Sequence, residues 1–170
     1  MAKPVMGRMT HDYDGELVVF LIGMRINSWR HVRTWASAIA AMPPMLRELT
    51  ADPESGMVGF RYFGMPRTPS VIQYWTSLDK LYEYASDPGA KHRPAWGEFN
   101  RRARAAKGAV GIWHETYVVD RAETLYSAMP PTGLGAATAL QPIAAHNRAR
   151  DRIGGAYAAA PSPEKRSRAE

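Results

Sequence analysis

Cysteine is absent from all 170 residues. That removes disulfides, thiolate metal ligands and cysteine nucleophiles together, and it suits a reducing compartment. Long hydrophobic runs are missing too. LVVFLIGM at 17–24, the longest, is far too short to cross a bilayer. The N-terminal MAKPVMGRMTHDYDGE has no apolar stretch behind its positive charges, so it does not read as a signal peptide. The expectation is a cytoplasmic protein with no membrane partner. Local metal-binding spacings (HxxxH, HxH, HExxH) are absent around the histidines at 11, 31, 92, 114 and 146. A phosphate-cradling glycine loop is absent as well, since GLGAAT at 133–138 lacks a third glycine and a strong preceding strand. So is a GxSxG nucleophile elbow.

What the chain has is positive charge, a net +6. Much of it lies in NRRARAAK at 100–107 and in the segment from His146 onward. No helix-turn-helix spacing, zinc-ligand spacing or RNA-binding aromatic motif accompanies it, so specific nucleic-acid binding is not expected. The final AAAPSPEKRSRAE is small, polar and proline-containing, and reads as disordered. Hydrophobic residues make up 45% of the chain, enough for one folded domain. The organisation expected is a polar leader at 1–14, a single domain with a C-terminal arm at 15–145, and a basic, disordered tail at 146–170.

Within the domain, ELVVFLIGM (16–24), MVGFRYFGM (57–65), VIQYWT (71–76) and VGIWHETYVV (110–119) read as strands, being short, β-branched or aromatic, and bounded by turn residues. Helical spacing begins at Trp29 and runs through Val32, Trp35 and Ile39, with Ser28 as its expected N-cap. Pro43-Pro44 is expected to break that helix, with MLRELT adding a turn or two beyond. Ser77 is expected to cap LDKLYEYAS, and KHRPAWGEFNRRARAA is expected to resume as a helix. A short strand is expected at Thr124 to Ser127. The order β-α-β-β-α-β predicts an α+β fold with a ferredoxin-like unit and an antiparallel sheet. Such a unit covers one sheet face with helices. Because the strands are apolar on both faces, the other face calls for a second copy of the chain, a homodimer packed sheet to sheet.

One strand carries an ionisable pair, His114 and Glu115. Strand neighbours point to opposite faces, so the two cannot form a dyad, and at least one is expected to be buried among apolar groups. Polar and aromatic residues also gather at strand ends: Arg25 and Asn27 after the first strand, Gln73, Tyr74 and Trp75 in the third, and His92 before the last helix, with Trp96 nearby. A cleft between sheet and helices could collect several of them, with aromatic walls and a few polar groups, as a pocket for a small apolar or aromatic substrate requires. The competing readings are structural: a satisfied interface role for His114, core packing for Trp75 and Trp96, and an arginine partner across a subunit interface for Glu115.

FLIGMRINSW, VIQYWTSLDKLYEYASD, HRPAWGEFNR, GIWHETY and MPPTGLG, in that order, resemble the monooxygenase-like family named after an oxygenase of fumagillin biosynthesis. The resemblance spans roughly residues 14 to 140 and implies the dimeric α/β barrel of the antibiotic-biosynthesis monooxygenases. It implies a small-molecule oxidoreductase, with a place in secondary metabolism, that binds haem through a histidine. His92 is similar in placement to the axial ligand of haem-degrading relatives, and His114 is the other candidate for the haem iron. Trp96 and Tyr74 would wall the cofactor, and Arg25, Arg30 or Arg93 would meet its propionates. His114, Arg25, Asn27 and Trp75 are the candidate catalytic residues. The alternatives are a haem-dependent aldoxime-type dehydratase, a cofactor-free oxygenase using molecular oxygen, and a non-catalytic haem or ligand carrier.

Overall fold

The structure is a computed structural model that describes residues 2–64, 66–87, 89, 97, 101–102, 104–144 and 148–155. Its centre is a four-stranded antiparallel sheet made of β2 (Leu17–Ile26), β3 (Met57–Phe63), β4 (Ser70–Trp75) and β5 (Val110–Val119), in the order β3-β4-β2-β5. The helices α1 (Val32–Ala51) and α2 (Leu78–Ser86) connect them. This is the ferredoxin-like arrangement expected from the element order, with the first and third strands of the unit at the centre. β1 (Val5–His11) lies where only a polar leader is expected. It pairs with β6 (Tyr126–Met129) and β7 (Leu140–Pro142) in a second, three-stranded sheet. The strand in the C-terminal arm thus sits two residues later than its sequence suggests.

Three helical expectations need correction. α1 runs through Pro43 and Pro44 without a break. Two prolines remove two helix hydrogen bonds, but the carbonyls they free belong to Ile39 and Ala40, which are exposed and open to water. Beyond the prolines, Leu46 and Leu49 are buried, and that burial holds the last turns in place. The N-cap of α1 is His31, without a side-chain cap bond; Ser28 Oγ instead lies 3.2 Å from His31 Nδ1. Ala149–Gly155 is a helix inside the segment expected to be disordered, and Arg152 there pairs with Glu123. Ser77 caps α2 as expected, accepting from the Lys80 N–H at 3.1 Å. The helix expected at 91–106 falls largely outside the described residues, although 101, 102, 104 and 105 are helical.

Pairing register sorts the sheet into two faces. Val18 stands opposite Trp75 and Val118, and Phe20 opposite Gln73 and Thr116. One face meets the helices, where Val18 and Trp75 pack with Leu49 of α1 and Leu81 of α2. Met24, Ile26 and Val110 form a second cluster on that face, against Trp35 and Ala38 of α1. On the opposite face Leu17 and Tyr74 pack with Leu134 from the short helix Leu134–Ala137. Gly59 of β3 lets that helix approach. A Cβ there would stand 2.6 Å from Ala137 Cβ.

Candidate functional site

Val18 and Met24 are buried on the helix side of β2, each within its own cluster. Phe20 and Ile22 lie between them on the same face and remain half-buried. A central strand flanked on both sides should have its core face covered along its whole length. Among the described residues, the middle of this face is the less covered stretch of β2: Phe20, which packs against the first cluster, and Ile22 are flanked by the buried Val71 and Gln73 of β4 on one side and by His114 and Thr116 of β5 on the other. Phe60 of β3 stands in register beyond Gln73.

His114 sits in register with Ile22, and its ring lies 5.7 Å from the Phe20 ring, tilted by 42°. It is exposed, and so is Glu115, which corrects the expectation that one of the pair is buried. The cause is position: β5 is an edge strand, and its second half runs past the helices that cover β2 and β4. Glu115 lies on the opposite face and accepts a hydrogen bond from Tyr117 Oη at 2.7 Å.

Gln73 and Trp75 share this face. Trp75 is fully buried in the cluster with Leu49 and Leu81, and its indole Nε1 donates to Gln73 Oε1 at 3.0 Å. Gln73 is itself only 6% exposed.

The strand-end residues divide between the two sides. Tyr74 is buried on the opposite face beside Leu17 and Leu134, where burial pushes its phenol up from the usual value. Arg25 is exposed, and by alternation along β2 it also belongs to that opposite face. Asn27 lies just past the end of β2, and its Nδ2 donates to the Gly108 carbonyl at 2.9 Å. The structure thus brings His114, Gln73 and Trp75 to one face and separates Tyr74, Arg25 and Asn27 from them. His92 and Trp96 lie outside the described residues. Sequence reasoning placed no weight on Phe20, Ile22 or Phe60, which looked like ordinary strand apolars; nothing in their composition marks a gap above them.

A haem site needs an imidazole in an apolar slot together with cations for the propionates. Of the three arginines expected at the propionates, Arg25 lies on the opposite sheet face from His114, Arg30 precedes α1, and Arg93 lies outside the described residues. Among the described residues no cluster of three or more His, Asp or Glu side chains is placed to hold a metal ion. Nor, among the described residues, is any helix long and apolar enough to cross a membrane.

A family profile described as monooxygenase af470-like matches residues 17–134. No curated protein matches the chain. Among solved structures, the cofactor-independent oxygenase SnoaB from Streptomyces nogalater is 15% identical, with 62% of this chain and 94% of that one covered, at a TM-score of 0.40. A dimeric ferredoxin-like protein of unknown function from Jannaschia sp. is 20% identical over 61% of this chain and 99% of its own, with a TM-score of 0.42. A dimeric ferredoxin-fold protein of unknown function from Bacteroides fragilis is 13% identical over 61% and 96%, again with a TM-score of 0.42.

Proposed function

The chain belongs to the monooxygenase af470-like family, and from that premise we propose that the helix side of the sheet holds a cleft over Phe20 and Ile22 in which a small, flat apolar or aromatic molecule is oxidised, with molecular oxygen as oxidant and His114 as base. The observation that carries this reading is the half-buried pair Phe20 and Ile22 at the centre of a sheet face otherwise packed on both sides. An apolar floor with few polar groups is what a ring-shaped ligand needs. The polar groups present are an imidazole and an amide, which suit proton removal and anion stabilisation.

The chemistry balances without an added reductant. Neutral His114 takes a proton from a ring methylene made acidic by a neighbouring carbonyl. The resulting carbanion passes one electron to oxygen, and the two radicals combine to a hydroperoxide. Loss of water then turns the methylene into a carbonyl: one oxygen atom stays in the product, and the other leaves with both former methylene hydrogens.

Oxygen uptake with an anthrone as probe, with no added metal or reductant, tests this. The expected result is one oxygen consumed per substrate, and a kcat/KM lowered by about 10²–10⁴ in His114→Ala with the fold intact. No oxygen uptake, together with a Soret band from added haemin that His114→Ala abolishes, would overturn it in favour of a haem protein.

The same reading includes a homodimer formed through the opposite face. There Leu21, Phe63 and Trp113 are half-buried and Tyr117 is 51% exposed, while among the described residues Leu134 packs at the Leu17–Tyr74 end, with Ile72 against that cluster. Half-covered apolar groups at the centre of a sheet call for a partner surface. Sedimentation should give a dimer at micromolar concentration, and Leu21→Lys should give a monomer; a wild-type monomer would refute it.

A further inference from the structure

Gln73 has an unusual hydrogen-bond ledger. Its side chain is buried, yet among the described residues the only hydrogen bond that side chain makes is the one accepted by Oε1 from the Trp75 indole. An indole nitrogen can only donate, so the orientation of the amide is fixed: Oε1 faces Trp75 and Nε2 forms the other arm. Nε2 carries two N–H donors and has no partner among the described residues. Its register neighbours on the same face are Phe20 and Phe60, and neither can accept a hydrogen bond. Buried donors without partners are rare and costly, and each calls for a reason.

The position supplies one. Gln73 stands one strand away from Phe20, on the wall of the cleft facing His114. By strand spacing, the Cα atoms of Gln73 and His114 are about 12 Å apart, two strands over and two residues along. A fused-ring ligand lying on Phe20 would fit between the two side chains. We propose that Gln73 is the donor that recognises an oxygen of this ligand, a ring carbonyl that becomes an enolate when the neighbouring carbon is deprotonated, and that Trp75 is a positioning residue that presents the NH₂ end of the amide. The inference rests on the cleft reading above and names the residue that would hold the carbonyl which that reading places on the ring. A hydrogen bond from a preorganised, desolvated amide strengthens as charge builds on that oxygen, so the same contact would serve binding and proton removal.

Two probes of matched outline separate the possibilities: 1,4-naphthoquinone, with two ring carbonyls, and 1,4-dimethylnaphthalene, with none. The chain has no cysteine for the quinone to arylate. Binding is followed by tryptophan fluorescence quenching, and the Gln73 side-chain NH₂ signals by NMR, assigned by their loss in Gln73→Met. The wild type should prefer the quinone by about tenfold, with the NH₂ signals shifting on binding. Gln73→Met and Gln73→Glu should bind the two probes alike. Gln73→Glu keeps an acceptor for the indole and so guards against a fold defect, which unchanged circular dichroism checks. His114→Ala should keep the quinone preference, since the base acts on a proton rather than on the carbonyl.

A folded Gln73 variant that retains the full preference would overturn the donor role while leaving the cleft standing. A wild type that binds neither probe would overturn both. Trp75→Phe should reduce the preference without abolishing binding of the hydrocarbon; an unchanged preference would remove Trp75 from the positioning role.

Discussion

Trp75 couples the core to the cleft, and that coupling can be measured. Trp75→Phe does two things. It removes three ring atoms from a fully buried site, costing about 2 kcal/mol at roughly 0.8 kcal/mol per buried methylene equivalent. It also leaves Gln73 Oε1 buried without its donor, a further cost of about 1–3 kcal/mol. The sum is about 3–5 kcal/mol, or a fall in Tm of roughly 10 °C for a chain of this size. In a Gln73→Leu background the orphaned carbonyl does not exist, and the same tryptophan change also removes the indole N–H that Gln73→Leu leaves unpaired, a gain of about 1–3 kcal/mol against the roughly 2 kcal/mol lost with the ring. The double-mutant cycle should therefore return a coupling of about 2–6 kcal/mol, the sum of the two orphan costs. Urea unfolding of the four proteins at 25 °C supplies all the numbers. A coupling below about 0.5 kcal/mol, the range of independent sites, would refute the claim that the indole and the amide form one unit.

Two further outcomes concern the second sheet and its seat on the first. In Gly59→Ala the new methyl would meet Ala137 Cβ at 2.6 Å and its Cα at 2.9 Å, so the short helix must lift. The expected cost is about 1–3 kcal/mol, with faster proteolysis of the arm after β5, and wild-type proteolysis rates would refute it. His11 of β1 is half-buried, and burial lowers its pKa below the ordinary 6.5 against the opposing pull of Asp12 and Glu123. Its ring Nδ1 lies 2.9 Å from Thr124 Oγ1, which accepts from the His11 backbone N–H at the same distance. A histidine with a depressed folded pKa binds protons more readily when unfolded. Its contribution is thus complete above pH 6.5 and is lost as pH falls below it. Stability measured between pH 7.5 and 5.5 should fall more steeply in the wild type than in His11→Gln, and parallel curves would refute it.

Much of the fold was legible because its signals are local. The four central strands announce themselves by β-branching and turn boundaries, and Ser77 by its place before an apolar run. The misses are cases where distant contacts outvote local preference. Pro43-Pro44 should end a helix, but Leu46 and Leu49 have a core to reach and the freed carbonyls face water. VMGRMTH alternates too weakly to look like a strand on its own, and becomes one because β6 and β7 arrive on either side from more than a hundred residues away. Arg152 reads as part of a solvated basic tail until Glu123 is seen beside it.

The candidate site shows where sequence reasoning stops, and parity is the reason. Alternation alone groups Gln73 with Trp75, sets Tyr74 apart from them, and groups Ile112 with His114 and Thr116. It cannot say which group on one strand faces which group on another, since a shift of one residue would exchange every partner. With Val18 opposite both Trp75 and Val118, the register settles the matter: the indole, the amide and the imidazole fall on the helix side, and Tyr74 and Arg25 on the other. The cover over that face is a second long-range matter. Among the described residues, α1 meets the sheet through Leu49 at one end and through Trp35 and Ala38 at the other, with Phe20 and Ile22 half-buried between. An aromatic in mid-strand is core when a helix covers it and floor when none does, and its own sequence is the same in both cases.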